Sequence, residues 1–379
     1  MDNAIIAGVG IHPFGRFGDK PYTEIGRDAV SMALKDANMD FRDIQAAFVS
    51  RMYLPATSGV KTLSTLGRTA IPIVDVEAAC AGGGACLRQA TTAIVSGMYD
   101  VVLALGVEKM PRGFMDPRQL YDLWQCHAGL TQNPMYWAMN ARRHMYNYGT
   151  TIEQIGKIAF KNHKNGVNNP YAMFRKAMTM EEIMNSAMVC DPIRLYMICA
   201  PDEGAAAIIL VSPKVAKRYT SKPLILASCS HRVSAIPFYN VAYYTNYETG
   251  NPPITTTSAR EAYEKAGVGP EDINCAEIQD TDAFCELEHY EQLLFCKEGE
   301  GGKLIDDGIT EIGGRLPVNM SGGLICKGEP VGASGLGMIF EICLQLRGES
   351  GPRQVEGAKV GLAQSYGSMG HVTVTIIKK

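Results

Sequence analysis

The chain has 379 residues, 36 Lys and Arg against 39 Asp and Glu, a formal net charge of −3 and 46% apolar residues. That is room for two domains or one large duplicated one, and it offers no basic surplus for a nucleic acid or an anionic membrane. No apolar run approaches the ~18 residues of a membrane span. The eleven cysteines, odd in number and without a C-x-x-C pair, argue against a disulfide framework or a metal site in this chain and for a cytoplasmic setting.

The N-terminus, Met1 to Gly10, lacks a basic leader and reads as a first strand. A helix at Ala29–Ala37 leads through Asp43-Ile44 to a strand at Ala47–Val49. The apolar run Ile71–Asp75 then opens into Val76–Leu87, which holds Cys80 and the glycines Gly82, Gly83 and Gly84 ahead of a helical stretch at Arg88–Val95. A thiol at a strand-to-helix turn faces backbone N–H groups and the positive end of the helix, which lowers its pKa and can hold an oxyanion. The glycines would let a substrate approach the backbone. The alternative is a buried, inert cysteine.

After the strand Val101–Gly106 the rhythm breaks from about residue 110 to 191, a stretch rich in methionine and tyrosine with Trp124 and Trp137. It reads as an inserted subdomain covering a site. Its basic cluster, Arg142, Arg143, Lys157, Lys161 and Lys164, is a candidate for ligand phosphates, with solvated charge as the alternative. A strand at Ala205–Val211 precedes a boundary near 212–223, and the tyrosine-rich run 238–247 is a candidate docking or pocket surface. The first pattern then recurs. Ala262, Ala266 and Ala276 repeat the spacing of Ala33, Ala37 and Ala47, and Asp272-Ile273 matches Asp43-Ile44. Leu316–Gly323, a helix at Gly335–Leu346 and a strand at Lys359–Ala363 mirror the Cys80 region. Strands alternating with helices predict layered α/β structure with a buried sheet.

The Cys80 turn, the paired halves, Asn169-Pro170, Asp191-Pro192, Glu203 to Ala207 and the run from Asn319 through Gly328-Glu329-Pro330 to Gly335 together resemble the thiolase superfamily, in its sterol-carrier and lipid-transfer branch. The resemblance implies a duplicated thiolase fold: a five-layered αβαβα core with a covering loop domain. The N-terminal half would span 1–215 with its covering loop at about 110–191, and the C-terminal half 222–379. It implies a homodimer that uses coenzyme A as a substrate, and it places Cys80 at the family's nucleophile. Three family positions differ. The histidine of the Gly-His-Pro motif is Glu329, which can act as base if burial raises its pKa or can cap the following helix. The histidine of the second motif is replaced by Thr281 or Gln279, and its cysteine by Ala283, with Cys285 two positions on. The last glycine loop, Gln364 to His371, has no cysteine but retains Tyr366 as a proton source and Gly370 for an oxyanion hole, while His371 opens the final strand.

Three functions stay open on this reading. A thiolase with altered acid–base groups would cleave a 3-oxoacyl-CoA through an acyl-Cys80 enzyme. A retro-aldolase would act on a branched 3-hydroxyacyl-CoA, and a non-catalytic subunit would bind the CoA ester alone. The aromatic and methionine-rich insert points to a bulky acyl group, and the benzoylsuccinyl-CoA-cleaving branch is one resemblance. Such relatives imply a small accessory protein with an OB-fold and a zinc ribbon.

Overall fold

The computed structural model describes residues 3–67, 70–113, 123–130, 132–234 and 252–379; the tyrosine-rich run 238–247 lies outside them. Its sheet runs through β1 (Ala4–Gly15), β2 (Ala46–Ser50), β3 (Ile73–Val76) and β4 (Val101–Lys109). A two-stranded hairpin, β5 (Met188–Cys190) and β6 (Ile193–Arg194), stands apart from the sheet, which continues with β7 (Glu203–Val211), β8 (Leu224–Val233), β9 (Cys275–Ile278), β10 (Val360–Gly367) and β11 (His371–Lys378). The order is β3-β2-β4-β7-β1-β8-β11-β10-β9.

The two halves of that order are copies. β2 is parallel to β3 and β4, and β7 runs antiparallel to β4 and β1. In the second half β9 is parallel to Val318 and β10, and β11 runs antiparallel to β10 and β8. Each half also carries the expected local unit. A helix at Tyr22–Asp36, a 3-10 turn at Phe41–Asp43 and β2 correspond to a helix at Ile254–Ala266, a turn at Pro270–Asp272 and β9. In the first helix Ile25, Ala29, Val30, Ala33 and Leu34 are buried, the i, i+4 stripe that seats one face on a sheet. β1 and β8 join the halves through three residue pairs, Ala4–Leu226, Ile5–Ile225 and Ile6–Leu224.

Two helices, Gly82–Val95 and Val331–Arg347, fill the middle. The second packs on β4 and β7 from one half and on β9 and β10 from the other, while Tyr22–Asp36 and Ile254–Ala266 cover the outer faces. This is the five-layered, duplicated α/β architecture the sequence implied. The middle helices also start earlier than the sequence pattern indicated, at Gly82 rather than Arg88 and at Val331 rather than Gly335. Glycine disfavours a helix by about 1 kcal/mol per residue, so packing drives the early start. A Cβ on Gly83 would lie 2.7 Å from the Leu336 nitrogen and 3.2 Å from the Gly335 Cα, and one on Gly84 would strike the Thr373 side chain. These buried glycines let the helices and the sheet meet. They do not open the backbone to substrate.

The segment between β4 and β7 holds helices at Leu123–His127, Asn133–Tyr148, Ile152–Gly166 and Met180–Met184. Thr151 and Gln154 form a capping box at the start of the third, and its buried Ile155, Ile158 and Ala159 face the C-terminal half, where it packs on helices Ala283–Gln292 and Gly323–Lys327. No helix among the described residues is long and apolar enough to cross a membrane.

Gly83→Ala sets a side chain against backbone that has no rotamer to yield. Overpacking of this kind costs about 1–3 kcal/mol, so the denaturant midpoint should fall. An unchanged midpoint would show that the two middle helices separate freely.

Candidate active site

Cys80 lies in a 3-10 turn, Ala79–Ala81, between β3 and the helix Gly82–Val95. The turn is held from both sides. Ala79 sits at φ +47° and donates its N–H to Glu77 Oε1 at 2.7 Å, and Gly367 lacks the side chain that would meet the Ala81 and Cys80 nitrogens at 2.8 and 3.0 Å. The N–H groups of Cys80 and Ser368 are directed at the sulfur.

The second middle helix delivers Glu329. Its N-cap is Pro330, without a side-chain cap, so the Glu329 carboxyl is not a helix cap. Buried, it accepts the Gln279 amide at Oε1 (2.7 Å) and the Cys199 thiol at Oε2 (2.8 Å), and it engages the Cys80 thiol as well. Gly328 precedes it at φ +106°, and the Asp202 carboxyl occupies the place a side chain would take. Gln279 is fixed in turn by its own N–H on Gln364 Oε1, 3.0 Å.

Electrostatics here run against the expectation of a lowered thiol pKa. Burial and then the Glu329 charge push Cys80 well above the usual thiol range, and the two backbone N–H groups oppose them. Burial also raises Glu329, against its hydrogen bonds from Cys199, Cys80 and Gln279. The resting pair is therefore a neutral thiol beside a carboxylate made basic by desolvation. The arrangement suits proton transfer from sulfur to carboxylate when an electrophile arrives.

Of the two candidates for the missing histidine, Gln279 is the one that reaches Glu329. The Thr281 carbonyl accepts the Cys199 N–H at 2.9 Å. Thr281, Cys285, His289 and Tyr366 line a small cavity of about 60 Å³ that Cys80 also borders. Burial lowers His289 to about 4. Its Nδ1 is 3.0 Å from the Gln279 carbonyl and so carries the ring proton. Cys285 Sγ lies 3.6 Å from that same nitrogen, which has no lone pair to accept the thiol proton. Cys285 borders the smaller cavity together with Cys80 and does not line the larger one. In the last loop Gly370 sits at φ +71° with its carbonyl accepting the Ser234 N–H at 3.1 Å, and it is Ser368 whose N–H meets the Cys80 sulfur.

A larger cavity of about 630 Å³ opens beside Cys80, Cys199, Thr281 and Glu329, walled by Met52, Met110, Trp137, Met173, Phe174 and Leu195. The predicted basic cluster is elsewhere. Lys161 is buried, paired with Glu286 at 2.5 Å and with the Val318 carbonyl at 2.7 Å, so no ligand phosphate can reach it. Arg142 is paired with Asp191, Lys157 with Asp306 and Lys164 with Glu311, and Arg143 is exposed on the same helix as Arg142. None of these five lines the cavity; Arg175 and Lys176 do. Sequence reasoning also missed Cys199 and Tyr53. The Tyr53 phenol is raised by burial and by the neighbouring Cys80, and its oxygen has no hydrogen-bond partner among the described residues. Neither Cys199 nor Tyr53 carries a local signal, and Cys199 meets Glu329 across 130 positions.

A family model for the thiolase N-terminal domain matches residues 4–213, and one for the thiolase C-terminal domain matches 249–379. The chain is 38% identical to an acetyl-CoA acetyltransferase of Methanothermobacter thermautotrophicus (98% of this chain, 97% of that protein). It is 36% identical to sterol carrier protein 2 of Bos taurus (100% and 72%) and 34% identical to the benzoylsuccinyl-CoA thiolase subunit BbsB of Thauera aromatica (93% and 91%). Among solved structures, the Ltp2-ChsH2(DUF35) aldolase superposes with a TM-score of 0.88 at 25% identity, covering 100% of this chain and 98% of that one.

Glu329→Gln removes the charge that raises the Cys80 thiol. The pH profile of Cys80 alkylation by iodoacetamide, followed by peptide mass, should then move to lower pH. A profile that stays in place or moves up would mean that the carboxylate does not act on the sulfur.

Proposed function

The chain belongs to the thiolase family, and on that footing we propose that it cleaves or forms a 3-oxoacyl-CoA through an acyl-enzyme on Cys80, with Glu329 in place of the histidine base. The observation that carries this reading is the Cys80 thiol facing a desolvated carboxylate held by Gln279 at 2.7 Å. Glu329 takes the thiol proton as sulfur adds to the ketone carbon. The carbonyl oxygen gains charge beside the N-terminal ends of two helices and the glycine loop of Ser368 and Gly370, where backbone donors stabilise it. Collapse breaks the C–C bond and leaves the acyl group on Cys80, from which the thiol of coenzyme A removes it. Tyr366 and Thr281 border the sulfur from the smaller cavity.

The acyl group is larger than acetyl, with an aromatic acyl among the candidates. The methionine and aromatic walls of the 630 Å³ cavity and the likeness to a benzoylsuccinyl-CoA thiolase subunit support this. Arg175 and Lys176, at the cavity, meet the CoA phosphates. A homodimer and a small accessory protein with an OB-fold and zinc ribbon complete the proposal, the latter supported by the two-part Ltp2-ChsH2(DUF35) neighbour. That neighbour is an aldolase, which favours retro-aldol cleavage of a 3-hydroxyacyl-CoA as the second reading.

The two readings part on covalency. Incubation with acetoacetyl-CoA and with a 3-aryl-3-oxoacyl-CoA should give an acyl adduct mapping to Cys80, formed faster with the aryl ester and absent in Cys80→Ala. Cleavage of a 3-hydroxyacyl-CoA that survives Cys80→Ala, with no adduct, would replace the thiolase by the lyase. Full activity of the purified chain would remove the accessory protein. Separately, Arg175→Ala should raise KM for the CoA ester several-fold with kcat nearly unchanged, the mark of lost uniform binding. An unaltered KM takes the phosphates elsewhere.

A further inference from the structure

Breaking a C–C bond leaves an electron pair on the α-carbon of the departing CoA ester, and that carbon needs a proton. Glu329 is poorly placed to deliver one directly, since its two oxygens face the Gln279 amide and the Cys199 thiol at 2.7 and 2.8 Å. Cys285 and Tyr366 border the smaller cavity only. Cys199 lines the larger cavity together with Cys80 and Glu329.

We propose that Cys199 is the acid–base group for carbon in this reaction, giving its thiol proton to the α-carbon and recovering one from Glu329. The assignment rests on the thiolase reading above. The steps balance. The Cys80 proton passes to the Glu329 carboxylate, and the thiolate adds to the ketone carbon. Collapse restores the carbonyl and sends the C–C electron pair to the α-carbon as an enolate. The Cys199 S–H protonates that carbon, and the Cys199 thiolate takes the proton held on Glu329 Oε2. What remains is acyl-Cys80, a saturated acyl-CoA, a carboxylate and a thiol.

The two thiols on one carboxylate differ in the way this division requires. Cys80 has a helix N-terminus and two backbone N–H groups aimed at its sulfur, which stabilise a thiolate once it forms and suit a nucleophile. Cys199 lies in an extended stretch between the 3-10 turn Leu195–Met197 and β7, its own N–H spent on the Thr281 carbonyl at 2.9 Å. The stretch is pinned on both sides, Ile198 bridging to Asp282 and Pro201 to Glu329, with the Glu329 N–H on the Ala200 carbonyl at 3.2 Å. Burial and the Glu329 charge keep this thiol protonated. It is an acid held at fixed distance from the base that recharges it.

Two half-reactions of the full chain test this. Acylation of Cys80 by an acyl-CoA moves no carbon-bound proton, whereas exchange of the α-hydrogens of that acyl-CoA in D₂O, read by NMR, moves nothing else. In Cys199→Ala and Cys199→Ser the exchange and the cleavage of a 3-oxoacyl-CoA should fall by about 10²–10⁴-fold, the range of lost general acid–base catalysis, while acylation by acyl-CoA stays within about tenfold of the parent. Surviving acylation also reports that the variants are folded. Exchange near the parent rate in both variants overturns the assignment, as does an equal loss of acylation and exchange in both, which would make Cys199 a support for Glu329. If the parent chain forms no acyl-Cys80 either alone or together with the proteins that co-purify with it, the thiolase reading fails, and this assignment with it.

Discussion

The contact on which the site depends is the crossing of the two middle helices at Gly83 and Gly335. One helix begins just after Cys80 and the other just after Glu329, so their crossing point sets the separation of the two side chains. The duplication explains why both come from equivalent places. Cys80 lies two residues before the first middle helix and Glu329 two residues before the second, each at the N-terminal approach to the buried helix of its own half. A helix N-terminus carries roughly half a positive charge, and here two such ends converge on Cys80 and Glu329. The fold thus fixes geometry and field by the same packing.

Replacing an imidazole by a carboxyl inverts the local charge balance. A cysteine beside an imidazolium is stabilised as a thiolate, whereas a cysteine beside a carboxylate is not, because two anions in a buried space repel. In the Cys80, Glu329 and Cys199 cluster burial raises all three groups, and the Glu329 charge raises both thiols further. On the proposed reading, the site would act by moving a proton within the cluster as the electrophile arrives. Two other buried carboxyls have partners of their own, Glu286 in Lys161 and Glu277 in Lys327 at 3.3 Å and Ser321, whereas Asp202, beside Gly328, has no hydrogen-bond partner among the described residues and is pushed well above the usual carboxylate range by burial.

Much of this was legible in the chain because it is local. The strand, turn and helix around Cys80 and the matching helix-turn-strand units lie within short windows, where spacing and turn residues carry information. Three things were not local. Lys161 read as exposed basic charge, yet its partner Glu286 is 125 positions away, and helical spacing alone does not say that a lysine points inward. Cys199 meets Glu329 across 130 positions, so its thiol looked like one of many scattered cysteines. The glycines after Cys80 suggested access to backbone, but what fills the space beside them is Leu336 and Thr373, residues from the other half. The thiol pKa went astray for a related reason. A helix end lowers it by local geometry, while the larger opposing effect comes from burial, a property of the assembled fold.

The apolar cavity joins specificity to reactivity. Methionine and aromatic walls accommodate irregular apolar acyl groups, and the same walls withhold water from Glu329 and the two thiols. Withdrawal of water raises the carboxyl, which makes it a stronger base toward a thiol than a solvated glutamate. A substrate that fills the cavity expels remaining water and strengthens the base further, whereas a short acyl group leaves space for solvent and weakens it. On the proposed reading, a preference for a large acyl group would follow from chemistry as well as fit, the glutamate being a stronger base when the pocket around it is full.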